Sequence, residues 1–251
     1  PYIPGSSIKG ALRTALLGAG QNEIQKKKSV EWIRQGKKGA SGRKKAYKNA
    51  NEQIEIEFFH RLDRSTPRKN AVNDIMSMIR VSDSSTVNKD RLMIAQKIDK
   101  NVDQEYNSLP INKECIMPET SFECILTIDK KYFPYTIDEV MNYVRTFYKN
   151  YQNNFVDAFE VPDKDDKNTK FYLGGGPGFA SKTIPYQIMK IDESAEIVQD
   201  VFRKTLSHKM FKEHKHDRDD RDYQTSPHMM KFAKYKQKYY EMGLCKLELI
   251  E

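Results

Sequence analysis

The stretch TSFECILTIDKKYFPYTIDEVMNYVRTFYKNYQNNFVDAF, residues 120–159, changes period at its middle. Before Asp129 the apolar residues Phe122, Cys124, Leu126 and Ile128 alternate with Glu123, Thr127 and Asp129. A period of two is that of a strand with one buried face. From Thr136 the period becomes helical. Thr136 and Glu139 have the T-x-x-E spacing of a capping box. Val140, Val144, Phe147, Tyr148, Tyr151, Phe155, Ala158 and Phe159 then share one face over about five turns. Aromatic residues recurring at helical spacing are core residues rather than platforms for stacking bases. A half-buried strand feeding a long helix places the chain in the α+β class.

Working outward, IPGSSIKGALRTALLGAG (residues 3–20) reads as a second helix. Ser6 or Ser7 is the expected N-cap, and the apolar stripe is Ile8, Ala11, Leu12, Ala15 and Leu16. Gly18 and Gly20 are expected to end it. Lys9 and Arg13, four apart, flank the stripe. Free N–H groups, the helix dipole and two cations would converge on one anion-sized volume. The plainer reading of the same residues is a capped helix with exposed charges.

Ile75, Met76, Met78, Ile79 and Val81 fit a strand or a short buried helix, and Ser82, Asp83, Ser84 and Ser85 a polar turn. Residues 90–99 read as strand-like, Lys170 to Leu173 as a short strand, and Cys245, Leu247 and Leu249 as one face of a closing strand. Between the last two lies FYLGGGPGFASKTIPYQ, residues 171–187. Gly174, Gly175, Gly176 and Gly178 leave backbone amides uncovered, as phosphate-cradling loops do, and Ser181, Lys182 and Thr183 add two hydroxyls and a cation. The P-loop pattern G-x-x-x-x-G-K-[ST] fails, because Ser181 stands where its second glycine belongs and Pro185 soon interrupts the helix it requires. With a first strand ahead of Pro1, missing from this sequence, the order becomes β-α-β-β-α-β, the ferredoxin-like layout shared with RNA-recognition domains.

Charge points the same way. Lysine and arginine number 43 against 35 acids, a net charge of +8, which favours an anionic partner. Residues 26–48 carry ten Lys/Arg and one acid, Glu31. That run reads as a solvated, partly disordered loop, which is also the form of an RNA-binding arm. The segment 203–238 reads as polar, and its HKHDRDDRD tract, residues 214–222, as solvated loop rather than metal site. Cys115, Cys124 and Cys245 lack metal or disulfide spacing, sit in apolar runs as core residues and suit a reducing cytoplasm. No run approaches the ~18–20 apolar residues of a membrane span.

In order, YIPGSSIKGALRTALL, RVSDS, SFECILTID, LGGGPGFASKTIPYQ and GLCKLELIE resemble the RAMP superfamily of CRISPR proteins. The pairing of VSDS with the LGxGxGFxSKT loop is most similar to the family of the fifth subunit of type III-A Csm effector complexes. The resemblance covers most of the chain. It implies a ferredoxin-like, RRM-related core with helical and loop insertions and an apparently missing N-terminal strand. Residues 1–135 would form its first part, with a basic insertion at about 21–52, and residues 136–251 the remainder, with another at about 203–238. It implies a non-catalytic subunit that caps the backbone filament near the crRNA 3′ end and supports crRNA maturation. The implied partners are crRNA, the neighbouring RAMP backbone subunit and the small helical subunit, with host ribonucleases as further candidates; no membrane, metal or cofactor is implied. Ser6, Ser7, Lys9 and Arg13 would line the phosphate path, and Gly174, Gly175, Gly176, Gly178, Phe179, Ser181, Lys182 and Thr183 a second RNA-facing loop. Arg80, with Ser82 and Asp83, is a third contact or a structural turn. The aspartate that is catalytic in the backbone subunits has no counterpart here. Two alternatives stay open: a metal-independent endoribonuclease using His60 or Tyr2, and an architectural cap with little RNA contact.

Overall fold

The computed structural model describes residues 1–38, 44–161, 168–213 and 225–250. In chain order its elements are α1 (Gly5–Ala19), α2 (Glu23–Lys38), α3 (Lys44–Phe59), β1 (Ile79–Val81), β2 (Leu92–Asn101), β3 (Tyr106–Ile116), β4 (Leu126–Ile128), α4 (Ile137–Asn154), β5 (Thr169–Tyr172), α5 (Pro185–Ile188), α6 (Ile191–Thr205), α7 (His208–Glu213), β6 (Met229–Tyr235), β7 (Lys238–Glu241) and β8 (Leu244–Leu247). The α+β assignment holds. The strands divide among three antiparallel sheets: β1 with β4, β5 with β8, and a four-stranded sheet in the order β3-β2-β6-β7. The single β-α-β-β-α-β sheet expected from the sequence is not formed among the described residues.

The capping box at α4 is present in full: Glu139 N donates to Thr136 Oγ1, and Thr136 N donates to Glu139 Oε2 at 2.7 Å. Two apolar clusters meet on this helix. Val140, Val144 and Phe147 pack with Ile8, Leu12 and Leu16 of α1 and with residues of the β1–β4 and β5–β8 ladders. Tyr148 and Tyr151 pack with Phe155, Phe159, Tyr186, Ile98, Met230 and Phe232, which ties α4 to the four-stranded sheet. The helix stops at Asn154; Val156–Phe159 is a 3-10 turn that continues the buried aromatic row.

Residues 121–128 alternate exposed and half-buried as their sequence predicts, yet only Leu126–Ile128 pair as a strand. Upstream, serine hydroxyls replace the ladder: Ile125 N donates to Ser82 Oγ and Glu123 N to Ser85 Oγ. The stretch 75–81 is both things its sequence allowed, a 3-10 turn over Ile75–Met78 followed by β1.

Two segments differ from expectation. The basic run is not a loop; it forms α2 and α3 on either side of the undescribed residues 39–43. Its cations are paired: Lys26 with Glu23, Lys28 with Glu57, Arg34 with Glu193 and Lys37 with Glu196. Ile33, Ile54 and Ile197 bury the contact of these helices with α6. The polar segment 203–238 contains the end of α6, α7, β6 and the start of β7; the HKHDRDDRD tract lies outside the described residues. All three cysteines are half-buried, and burial pushes the Cys245 thiol up to about 11.

Candidate nucleic-acid interface

The start of α1 is capped, but not by Ser6 or Ser7. Pro4 occupies the N-cap position without a side-chain bond, and both serines lie exposed in the first turn. Asp83 supplies the cap: Gly5 N donates to Asp83 Oδ1 at 2.8 Å. Ser84 holds the preceding turn by accepting from Ile3 N at 2.9 Å. The approach is close enough that a Cβ on Gly5 would lie 2.2 Å from Val81 O, so only glycine fits. The anion that answers the helix dipole is thus a carboxylate of the same chain.

Lys9 and Arg13 do not converge on that volume either. Lys9 Nζ donates to Ile79 O at 2.7 Å, fastening α1 to β1. Desolvation lowers its pKa, aided by the neighbouring Arg13 and Arg80 and opposed by Asp74. Arg13 donates to Asp74 Oδ2 at 2.6 Å and to Glu55 Oε2 at 2.8 Å, and its guanidinium lies 3.9 Å from the centre of the Phe59 ring. Arg80 is exposed in the β1–β4 ladder opposite Thr127. The convergence predicted from the sequence fails because the four-residue spacing aims both cations at acceptors that only the tertiary fold delivers.

Another face of α1 brings the two Gly/Ser motifs together. Ser7, Gly10 and Thr14 line a cleft of about 400 Å³ whose opposite wall is Gly174, Gly175, Ser181 and Lys182. Its floor is aromatic, from α4 and β5, and includes Phe147, Tyr148, Tyr151 and Phe171. At Gly10, Gly174 and Gly175 a Cβ would meet nothing within 4 Å, so bare backbone faces open space. Gly174 has φ +76°, a conformation that glycine adopts without strain. Lys182 Nζ donates to Gly174 O, which folds the lysine back over the loop, and desolvation lowers its pKa.

The rest of the Gly-rich loop anchors it. Gly176 packs on Met242, Ser181 is buried with its hydroxyl 3.5 Å from Gly178 O, and Phe179 meets Phe202 edge-on at 5.2 Å. Phe179 is therefore a packing anchor. Thr183 Oγ1 is buried without a hydrogen-bond partner among the described residues. Gly10 and Thr14 were not singled out by sequence; the signal was the small-residue spacing i, i+3, i+7 from Ser7 on a face outside the apolar stripe.

Among the described residues no group of His, Cys, Asp and Glu is placed to hold a metal ion, and no helix is long and apolar enough to cross a membrane. His60 is fastened in the fold: its Nδ1 lies 2.8 Å from Arg68 O, and Arg68 Nε donates to His60 O. Tyr2 is exposed.

Comparison with known proteins matches the sequence model of the RAMP superfamily to residues 1–243. A relative from Mycobacterium tuberculosis, called CRISPR system Cms protein Csm5, is 27% identical over 264 residues, covering 99% of this chain and 64% of its own length. A protein of the same name from Streptococcus thermophilus is 29% identical over 73% of this chain and 47% of its own length. The chain therefore spans less than two thirds of the length of these curated relatives. Among solved structures, a chain of a cryo-EM Csm–crRNA–target RNA ternary complex of a type III-A CRISPR–Cas system aligns with TM-score 0.55 and 17% identity, over 99% of this chain and 73% of that one. That likeness concerns the fold alone.

Proposed function

The chain belongs to the RAMP superfamily, and from that premise we propose that it is a non-catalytic, crRNA-binding subunit of a type III-A CRISPR ribonucleoprotein, capping the backbone filament near the crRNA 3′ end and supporting crRNA maturation. The relatives that match it carry the name Csm5. The observation that carries the RNA part is the cleft, where motifs more than 160 residues apart present bare backbone, hydroxyls and Lys182 to one groove. Backbone amides and a lysine bind phosphates whatever the base sequence, as a protein that must hold any spacer requires. On this reading the contacts are Ser7, Gly10, Thr14, Gly174, Gly175, Ser181 and Lys182. Lys9 and Arg13 hold α1 in place, and Arg80 remains an exposed cation beside them. The neighbouring RAMP subunit, the small helical subunit and host ribonucleases are its proposed protein partners, and the cytoplasm its proposed location.

The test is binding of labelled single-stranded repeat–spacer RNA, followed by anisotropy across a salt series. With about four to six phosphate contacts the log–log slope is expected near −3 to −4, at about −0.7 per contact. Gly175→Glu adds a carboxylate where there is open space, and with Lys182→Ala it should abolish most of the binding. Binding without salt dependence, or unaffected by both substitutions, would overturn the site. Cleavage of repeat RNA that disappears in His60→Ala would overturn the non-catalytic assignment.

A further inference from the structure

We propose that one face of the β3-β2-β6-β7 sheet, carrying Lys97, Lys113 and Lys231 around Asp99, is a second phosphate-binding site that continues the RNA path beyond the cleft; this rests on the RNA-binding reading above. The register brings these residues together. Asp99 pairs with Lys231 and Ala95 with Lys113, so Ala95, Lys97, Asp99, Lys113 and Lys231 share a face. Lys231 Nζ lies 2.7 Å from Asp99 Oδ2, and Lys97 Nζ lies 4.0 Å from Asp99 Oδ1.

The charge at this point does not balance. Elsewhere Lys28, Arg34, Lys37 and Lys204 each have a carboxylate. Here three ammonium groups stand within electrostatic reach of one another around the single carboxylate of Asp99. Lys231 occupies one oxygen of that carboxylate; the other is buried and makes no hydrogen bond among the described residues. Like charges held this close on a sheet destabilise it. Desolvation, and then Lys231 and Lys113, lower the Lys97 pKa, and Asp99 only partly opposes them. A phosphate shared by Lys97 and Lys113 would supply the missing negative charge with charge-assisted hydrogen bonds.

The position fits a continuous strand of RNA. A Cβ on Gly178 would lie 3.8 Å from Lys231 Cγ, so the Gly-rich loop that forms one wall of the cleft ends beside this face. Met242 N donates to Lys231 O, and Gly176 packs on Met242, which couples loop and sheet. The apolar residues sharing the face, Met93, Ala95 and Ala233, are buried. The face therefore offers charge without an apolar anchor, which suits phosphates better than a protein partner.

The experiment is the salt series above, run on the purified protein and on Lys97→Gln/Lys113→Gln, which leaves the Lys231–Asp99 pair in place. The expected result is weaker binding and a slope shallower by about 1.4, at about 0.7 for each lost contact. Lys97→Arg/Lys113→Arg, which keeps both charges, should bind as the parent does. A glutamine variant with unchanged affinity and slope would overturn this site while leaving the cleft standing. A parent protein with no salt-dependent RNA binding would overturn both.

Discussion

Replacing Arg13 by alanine separates a cation that stabilises the fold from one that touches RNA. The Arg13 side chain is 26% exposed and joins α1 to two carboxylates. Asp74 is 17% exposed at 2.6 Å, so that charge-assisted bond contributes about 1.5–2 kcal/mol. Glu55 is 46% exposed, and such a pair contributes about 0–1 kcal/mol after solvent screening. The stack on Phe59 at 3.9 Å adds about 0.5–1 kcal/mol. Asp74 keeps its bond from Met76 N, which prevents a larger loss. The sum is about 2–3 kcal/mol, and for a chain of this size each kcal/mol moves Tm by about 2–4 °C. Arg13→Ala should therefore lower Tm by about 4–12 °C in a circular-dichroism melt. Its RNA salt slope, measured well below that Tm, should match the parent's. An unchanged Tm together with a slope shallower by about 0.7 would refute the reasoning.

Two further outcomes follow from other ion pairs. The Lys204 side chain is 5% exposed and donates to Asp200 Oδ2 at 2.7 Å, to Gly36 O and to Lys37 O, closing the end of α2 onto α6. Lys204→Met keeps the volume but strands those acceptors, and should cost about 3–5 kcal/mol in urea unfolding; an unchanged midpoint would contradict the burial argument. Glu57 and Glu193 have depressed pKa values, chiefly through hydrogen bonds from Lys28 and Arg34 respectively. A depressed native pKa means their stabilisation is present above about pH 4.5 and lost as pH falls through the native values. Urea midpoints should decline below that pH, and less steeply in Lys28→Ala/Arg34→Ala; parallel declines would show that these pairs do not carry the effect.

Much of the fold was written locally. The capping box and aromatic face of α4, the apolar stripe of α1, the alternation at 122–128 and the closing strand were legible because each is encoded within a few residues. The edge strand β3 was not, since nearly every position along it is exposed and no alternation marks it. Nor was Gly18 a terminator: α1 runs through it to Ala19, because a bare Cα is needed where a Cβ would lie 2.6 Å from the Phe147 ring.

By itself the sequence determined the class, the superfamily and the two Gly/Ser motifs. What it could not contain was the destination of each charge and cap. The basic run became helices because Glu57, Glu193 and Glu196 arrive from 29 and 159 residues away. The helix cap came from Asp83, 78 residues distant, not from the adjacent serines. Ser7 and Lys182 share a cleft only after α1 and β5 have packed on α4. Local propensity acts over a turn or two of chain, whereas the partner of a charge or an uncovered amide is whatever the packed core carries to it.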